Sequence, residues 1–146
     1  MAVAESLTGG LVGAAITEVA GASGAFRGGI TAYATDLKAS LLGVEPDLLA
    51  EQGPVCPEVA AAMAEGVRRK LMAGYGLSTT GVAGPTPQGG REPGTVYVAF
   101  AGPDAARVHR FFFLGDRRMI RKQAVTSALA LALESLDTGS SQSSQP

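Results

Sequence analysis

A layered α/β domain with a mixed central sheet is the fold class this sequence predicts, on three observations. Strand-like and helical segments alternate along most of the chain, which is the pattern of helices packed on a sheet. The last two strand patterns are joined by a tight turn, Gly102-Pro103-Asp104, so at least one strand pair is antiparallel. A chain of 146 residues, of which 46% are hydrophobic, suits one compact core.

Taken in order, residues 2–5 read as the end of a short strand, followed by the turn Ser6-Leu7-Thr8-Gly9-Gly10. Leu11, Val12, Ala15, Ile16 and Val19 recur at helical spacing and predict a helix over 10–20, ended by Gly21-Ala22-Ser23-Gly24. Residues 26–34 alternate like a strand. Thr35 or Asp36 is placed to cap a short helix bearing Lys38, Leu41 and Leu42, and Gly43 to stop it. A further short helix is expected from Pro46 to near Gly53.

Pro57 suits a first helical position, and Val59, Met63, Val67 and Leu71 follow as one apolar stripe. Residues 76–82 form a strand that opens into a Gly/Pro loop over 83–94. Strands over Thr95–Ala101 and Arg107–Leu114 come next, with Tyr97, Phe100 and Phe111 to Phe113 expected to pack the sheet. Asp116 caps a last helix whose buried face would carry Val125, Leu129, Leu133 and Leu136. The folded domain is expected over 1–136, and the Ser/Gln/Thr/Gly-rich stretch 137–146 as a disordered tail.

The composition excludes several function classes. Twelve basic and 13 acidic residues leave a net charge of −1, which gives no electrostatic ground for nucleic acid or an anionic membrane as partner. One cysteine and one histidine rule out an internal disulfide and the multi-ligand Cys and His metal motifs. No apolar run approaches the roughly 18 residues that span a bilayer. No secretory leader is visible, so the expectation is a reduced, cytoplasmic protein.

Glycine-rich turns at strand ends are where ligands collect in such sheets. Ser6 stands at one, where its hydroxyl is either a nucleophile or a helix cap; backbone N–H groups of Thr8, Gly9 and Gly10 could hold an oxyanion. A serine nucleophile needs a base, and His109 reads as an exposed strand residue. Lys38 is the other option if burial or its place in a helix's first turn lowers its pKa; otherwise it is a solvated surface lysine. Thr79-Thr80-Gly81-Val82-Ala83-Gly84-Pro85 offers hydroxyls and backbone donors without Walker or dinucleotide glycine spacing. Arg117 and Arg118 oppose a helix dipole, which a bound anion would explain and exposed arginines also tolerate. Cys56, just before Pro57, is not read as a nucleophile.

These segments resemble the C-terminal domain of CinA and the stand-alone nicotinamide mononucleotide deamidases (PncC). The motifs are Ala4-Glu5-Ser6-Leu7-Thr8-Gly9-Gly10, Phe26-Arg27-Gly28-Gly29 with Tyr33 to Lys38, Leu42-Gly43-Val44, Thr79 to Pro85, Pro93-Gly94-Thr95-Val96-Tyr97 and Gly115-Asp116-Arg117. They run in the family's order from residue 2 to about 136.

The resemblance implies a three-layer α/β/α domain that hydrolyses the carboxamide of nicotinamide mononucleotide to the acid and ammonia. It implies Ser6 as nucleophile, Lys38 as base, and Tyr33 and Thr80 at the reacting end. Thr8, Gly9, Gly10, Gly81, Gly84 and Arg117 are then expected to bind substrate. No metal or other cofactor is implied, and a homodimer or higher homo-oligomer is. The chain departs from the family pattern at Thr35, at Cys56, in a shorter loop over 86–92, and in the expected lack of a helix before the first strand. Two other readings stand beside the enzyme: a non-catalytic nucleotide or phosphate-binding module, and an amidase for another small amide.

Overall fold

The computed structural model describes the backbone of residues 1–142 and the side chains of residues 1–138. Its strands are β1 (Ala2–Glu5), β2 (Gly28–Thr31), β3 (Gly76–Gly81), β4 (Thr95–Ala101) and β5 (Ala106–Phe112). They form one five-stranded sheet in the order β2-β1-β3-β4-β5. β1 runs parallel to both β2 and β3, while the β3–β4 and β4–β5 pairs are antiparallel. The mixed sheet expected from the late hairpin is present, with the Gly102 N–H closing its turn on the Ala105 carbonyl at 3.0 Å.

Helices α1 (Leu11–Thr17) and α5 (Arg117–Gln142) cover one face; α2 (Thr35–Leu42), α3 (Pro46–Gln52) and α4 (Pro57–Lys70) cover the other. Strand alternation sorts the core between them. Val3, Leu7, Leu77, Val96, Val98 and Phe100 meet Val12 and Ile120 on the first face. Ala2 and Ala4 meet Val59, Met63 and Val67 on the second, where Tyr97, Ala99 and Ala101 also lie against Ala60 and Ala64.

Small residues let α4 lie close to its neighbours. The buried Ser78 hydroxyl donates to the Ala60 carbonyl at 2.6 Å. A Cβ on Gly66 would collide with the carbonyl of Leu42, so α2 is held on α4 backbone to backbone. That contact fixes the helix that carries Lys38.

Several local expectations shift. α1 stops at Thr17, whose hydroxyl turns back onto the Gly13 and Ala14 carbonyls. β2 is shorter than 26–34, because the chain leaves the sheet at Tyr33 to enter α2. The cap of α2 is Ala34 and not Thr35 or Asp36; Gly43 does end it, in the left-handed region at φ 71°. Pro57 opens α4, and the Asp116 carboxylate caps α5 by accepting from the Met119 N–H at 2.9 Å.

α5 turns a smaller face inward than expected. Ile120, Ala124, Ala128, Leu131 and Ala132 are buried, Val125, Leu129 and Leu136 lie at the edge, and Leu133 is exposed. Phe111 and Phe113 stack at 5.2 Å, whereas Phe112 points to solvent. The tail expectation is corrected for 137–142, which continue α5; residues 143–146 lie outside the described residues. No helix among the described residues is long and apolar enough to cross a membrane.

Candidate active site

β1, β3 and the start of α2 converge on one cleft at the ends of the central strands. Ser6 follows β1 directly, and its N–H is held by the Thr79 carbonyl of the adjacent strand at 3.0 Å. Lys38 lies in the middle of α2 and is 1% exposed. Its Nζ is 3.0 Å from Ser6 Oγ, so the fold joins the two groups that the sequence separates.

The amine has two further neighbours, the Ala32 carbonyl at 2.7 Å and the Tyr33 carbonyl at 3.5 Å. A neutral amine has two protons and one lone pair. Its protons can go to those carbonyls, which leaves the lone pair facing the serine hydroxyl. Burial pushes the Lys38 pKa down from 10.5 to about 8. The cause is desolvation of the charged form, the first of the two routes that the sequence left open.

Around the dyad is a cavity of about 220 Å³, lined by Leu7, Tyr33, Val55, Thr80, Gln88 and Arg117 among others. That is below the roughly 300 Å³ at which drug-sized pockets begin, so it suits a ring and its substituent more than a whole nucleotide. Gly81 and Gly84 also line it. A Cβ at Gly81 would stand 2.7 Å from the Thr95 carbonyl oxygen, so β3 and β4 approach there as only glycine allows.

Arg117 crosses the mouth. Its Nη1 donates to the Gly84 carbonyl at 2.7 Å and its Nη2 to Tyr33 Oη at 2.9 Å. Arg117 and Arg118, adjacent in the sequence, therefore part company. Arg118 instead borders a larger groove of about 840 Å³ between α1 and α5, with Leu11, Ala15, Val125 and Leu129 in its walls. The Ser6–Lys38 pair lines the smaller cavity and not that groove.

Thr8, Gly9 and Gly10 are not among the residues that line the cavity. The Gly9 N–H is spent on the Ser6 carbonyl at 3.0 Å. The first N–H groups of α1 are taken internally: Glu5 Oε1 accepts from Val12 at 2.8 Å, and Oε2 from Gly13 at 3.1 Å. Thr8 is fully buried, and its Oγ1 contacts Glu5 Oε1 at 2.7 Å and Thr79 Oγ1 at 2.8 Å. Leu7 does line the cleft, and its N–H, like those of Thr8 and Gly10, is in none of the turn's backbone hydrogen bonds among the described residues.

Sequence reasoning missed Glu5, Leu7, Pro54 and Arg121 as site-shaping residues. Arg121 donates from Nε to the Leu7 carbonyl at 2.9 Å and thereby ties the nucleophile turn to α5. Glu5 left a readable signal: a carboxylate in a buried strand needs donors, and a helix start lies just beyond it. Arg121 left none, because its partners are backbone atoms more than a hundred positions away.

His109 sits exposed in β5, away from the cleft. Cys56 is fully buried at the start of α4, and burial raises its thiol pKa, which disfavours the thiolate. No group of metal-ligating side chains exists among the described residues.

Comparison with known proteins agrees with this layout. The model of the CinA C-terminal domain matches residues 1–136. A CinA-like protein of Frankia casuarinae is 56% identical over 131 residues, covering 90% of this chain and 30% of its own. A putative competence-damage inducible protein of Desulforamulus reducens is 46% identical over 132 residues, covering 90% and 32%. The chain thus spans about a third of the length of these relatives.

Among solved structures, a CinA superfamily protein from Enterobacter cloacae superposes with a TM-score of 0.89 at 28% identity, over 92% of this chain and 80% of that one. The competence/damage inducible protein CihA of Agrobacterium tumefaciens gives 0.87 at 32% identity, over 91% and 82%. With a family model spanning nearly the whole folded part and solved relatives of the same architecture, the chain belongs to the CinA C-terminal domain family.

Proposed function

We propose that this chain hydrolyses the carboxamide of nicotinamide mononucleotide to nicotinate mononucleotide and ammonia through a Ser6–Lys38 acyl-enzyme mechanism. The observation that carries the reading is the buried contact of 3.0 Å between Lys38 Nζ and Ser6 Oγ, at the wall of a ring-sized cavity. A solvated surface lysine would have neither that burial nor that partner.

Neutral Lys38 accepts the Ser6 proton as Oγ attacks the amide carbon. The oxygen of the tetrahedral intermediate is held by the Leu7 N–H and the Tyr33 hydroxyl, both at the cleft. Lys38 then passes its proton to the departing nitrogen, the C–N bond breaks, and ammonia leaves an ester on Ser6. Water attacks that ester with Lys38 again as base, and the proton returns to Ser6 Oγ as the acid departs. The positive pyridinium of the substrate draws electrons from the amide, which lowers the demand on the base.

The phosphate and ribose would extend past the cavity toward the mouth at Arg117. The chain is proposed to act in the cytoplasm as a homodimer or higher homo-oligomer, without metal or cofactor. The test is ammonia release from nicotinamide mononucleotide by purified protein. Turnover that falls by at least a thousandfold in Ser6→Ala and in Lys38→Ala supports the mechanism, and undiminished turnover in both removes it. Tight binding with no turnover by the unaltered protein would make it a binding module instead.

A further inference from the structure

The cleft's hydrogen bonds have a fixed sense, and this bears on how an amide is told from an acid; the inference rests on the amidase reading above. Thr80 lies in β3, is 1% exposed and lines the cleft. Its Oγ1 stands 2.7 Å from the carbonyl oxygen of Pro54. A carbonyl only accepts, so the hydroxyl's single proton is committed there. What Thr80 can still offer to the cleft is lone pairs.

Tyr33 is the opposite case. Its Oη accepts from Arg117 Nη2, and a guanidinium only donates. The phenolic proton is not used by that contact and remains to be given away. The cleft thus has an accepting group on β3 and a donating group before α2.

We infer that Thr80 is a specificity-determining residue that selects a carboxamide over the matching carboxylate by accepting a hydrogen bond from the amide NH2. A carboxamide answers both groups, because its nitrogen donates and its oxygen accepts. A carboxylate has no proton to give, so its second oxygen would meet the Thr80 lone pairs with its own. Sites that leave a buried polar group facing the wrong partner discriminate strongly. The same mismatch arises when the amide has become the acid, so the product is expelled by the residue that admitted the substrate.

The experiment uses the Ser6→Ala protein, which binds without turnover, at pH 9, where Lys38 is mostly neutral and attracts the acid least. Calorimetry gives the affinities of nicotinamide mononucleotide and nicotinate mononucleotide, first in that parent and then with Thr80→Val or Thr80→Ser added. The expected result is a preference of tenfold or more for the amide in the parent, kept by Thr80→Ser and cut at least tenfold by Thr80→Val. Equal binding of the two compounds, or an unchanged ratio in a folded Thr80→Val protein, overturns the inference and leaves the amidase reading standing. Binding of neither compound overturns both. If Thr80→Val does not fold, the parent ratio decides: a tenfold preference for the amide supports the inference, and parity overturns it.

Discussion

The base's titration sets a defined pH profile. With a pKa of about 8, Lys38 is neutral in about one molecule in ten at pH 7; at its ordinary 10.5 the figure would be about one in three thousand. Burial therefore supplies about 300-fold more active base at neutral pH. The single-turnover rate of amide hydrolysis should rise about 50-fold between pH 6 and 8, then level off with less than a further doubling above that. Ammonia release measured by rapid quench across pH 5.5 to 9 reads this directly. A rate that is flat from pH 6 to 8, or that falls, would refute the assignment of a neutral lysine as base.

The same burial has a stability side with a fixed sign. The folded pKa lies below the unfolded one, so between about pH 8 and 10.5 the unfolded chain holds the extra proton and stability rises with pH. Below about pH 8 both states are protonated and the full penalty applies, on the order of 3 kcal/mol for a shift of this size. Lys38→Met should accordingly be inactive yet more stable than the parent at pH 7, by denaturant unfolding. That advantage should shrink as the pH approaches 10.5.

Other substitutions test the supports of the site. Glu5→Ala removes the acceptor for two N–H groups of α1 and the Thr8 hydroxyl; urea unfolding should show a loss of about 2–4 kcal/mol. Arg117→Lys cannot reach both the Gly84 carbonyl and Tyr33 Oη, so kcat/KM should fall about 10- to 100-fold with the melting temperature nearly unchanged. Gly66→Ala should lower stability by about 1–3 kcal/mol, because its methyl meets the Leu42 carbonyl, and thermal unfolding checks this.

The sequence carried the layer pattern well because it is written in local periodicity. Val59, Met63 and Val67 lie on one buried stripe as their spacing requires, and Gly43, Pro57 and Asp116 punctuate helices as expected. Boundaries failed where one residue's fate depended on distant packing. Leu133 looks like core by spacing, but α5 presents alanines to the sheet and leaves it outside. At the site, the spacing of Ser6 and Lys38 says nothing of a 3.0 Å contact; only the parallel placement of β1 beside β2 brings the turn of one to the helix after the other. The role of Glu5 as acceptor for the Val12 and Gly13 N–H groups of α1 is not written in any local pattern; it follows from a buried strand carboxylate that needs partners.

Gly66 sits on a helix that does not line the cleft, yet its missing side chain lets that helix close on Leu42, at the end of the helix that carries Lys38. The pair of helices behaves like a caliper whose jaw opening is fixed by the absence of one methyl group. A library of substitutions there, selected for folding, would read out how much misalignment proton transfer can survive. Any redesign of this domain for a bulkier amide could start by adjusting that stop and leave every residue that touches the substrate as it is.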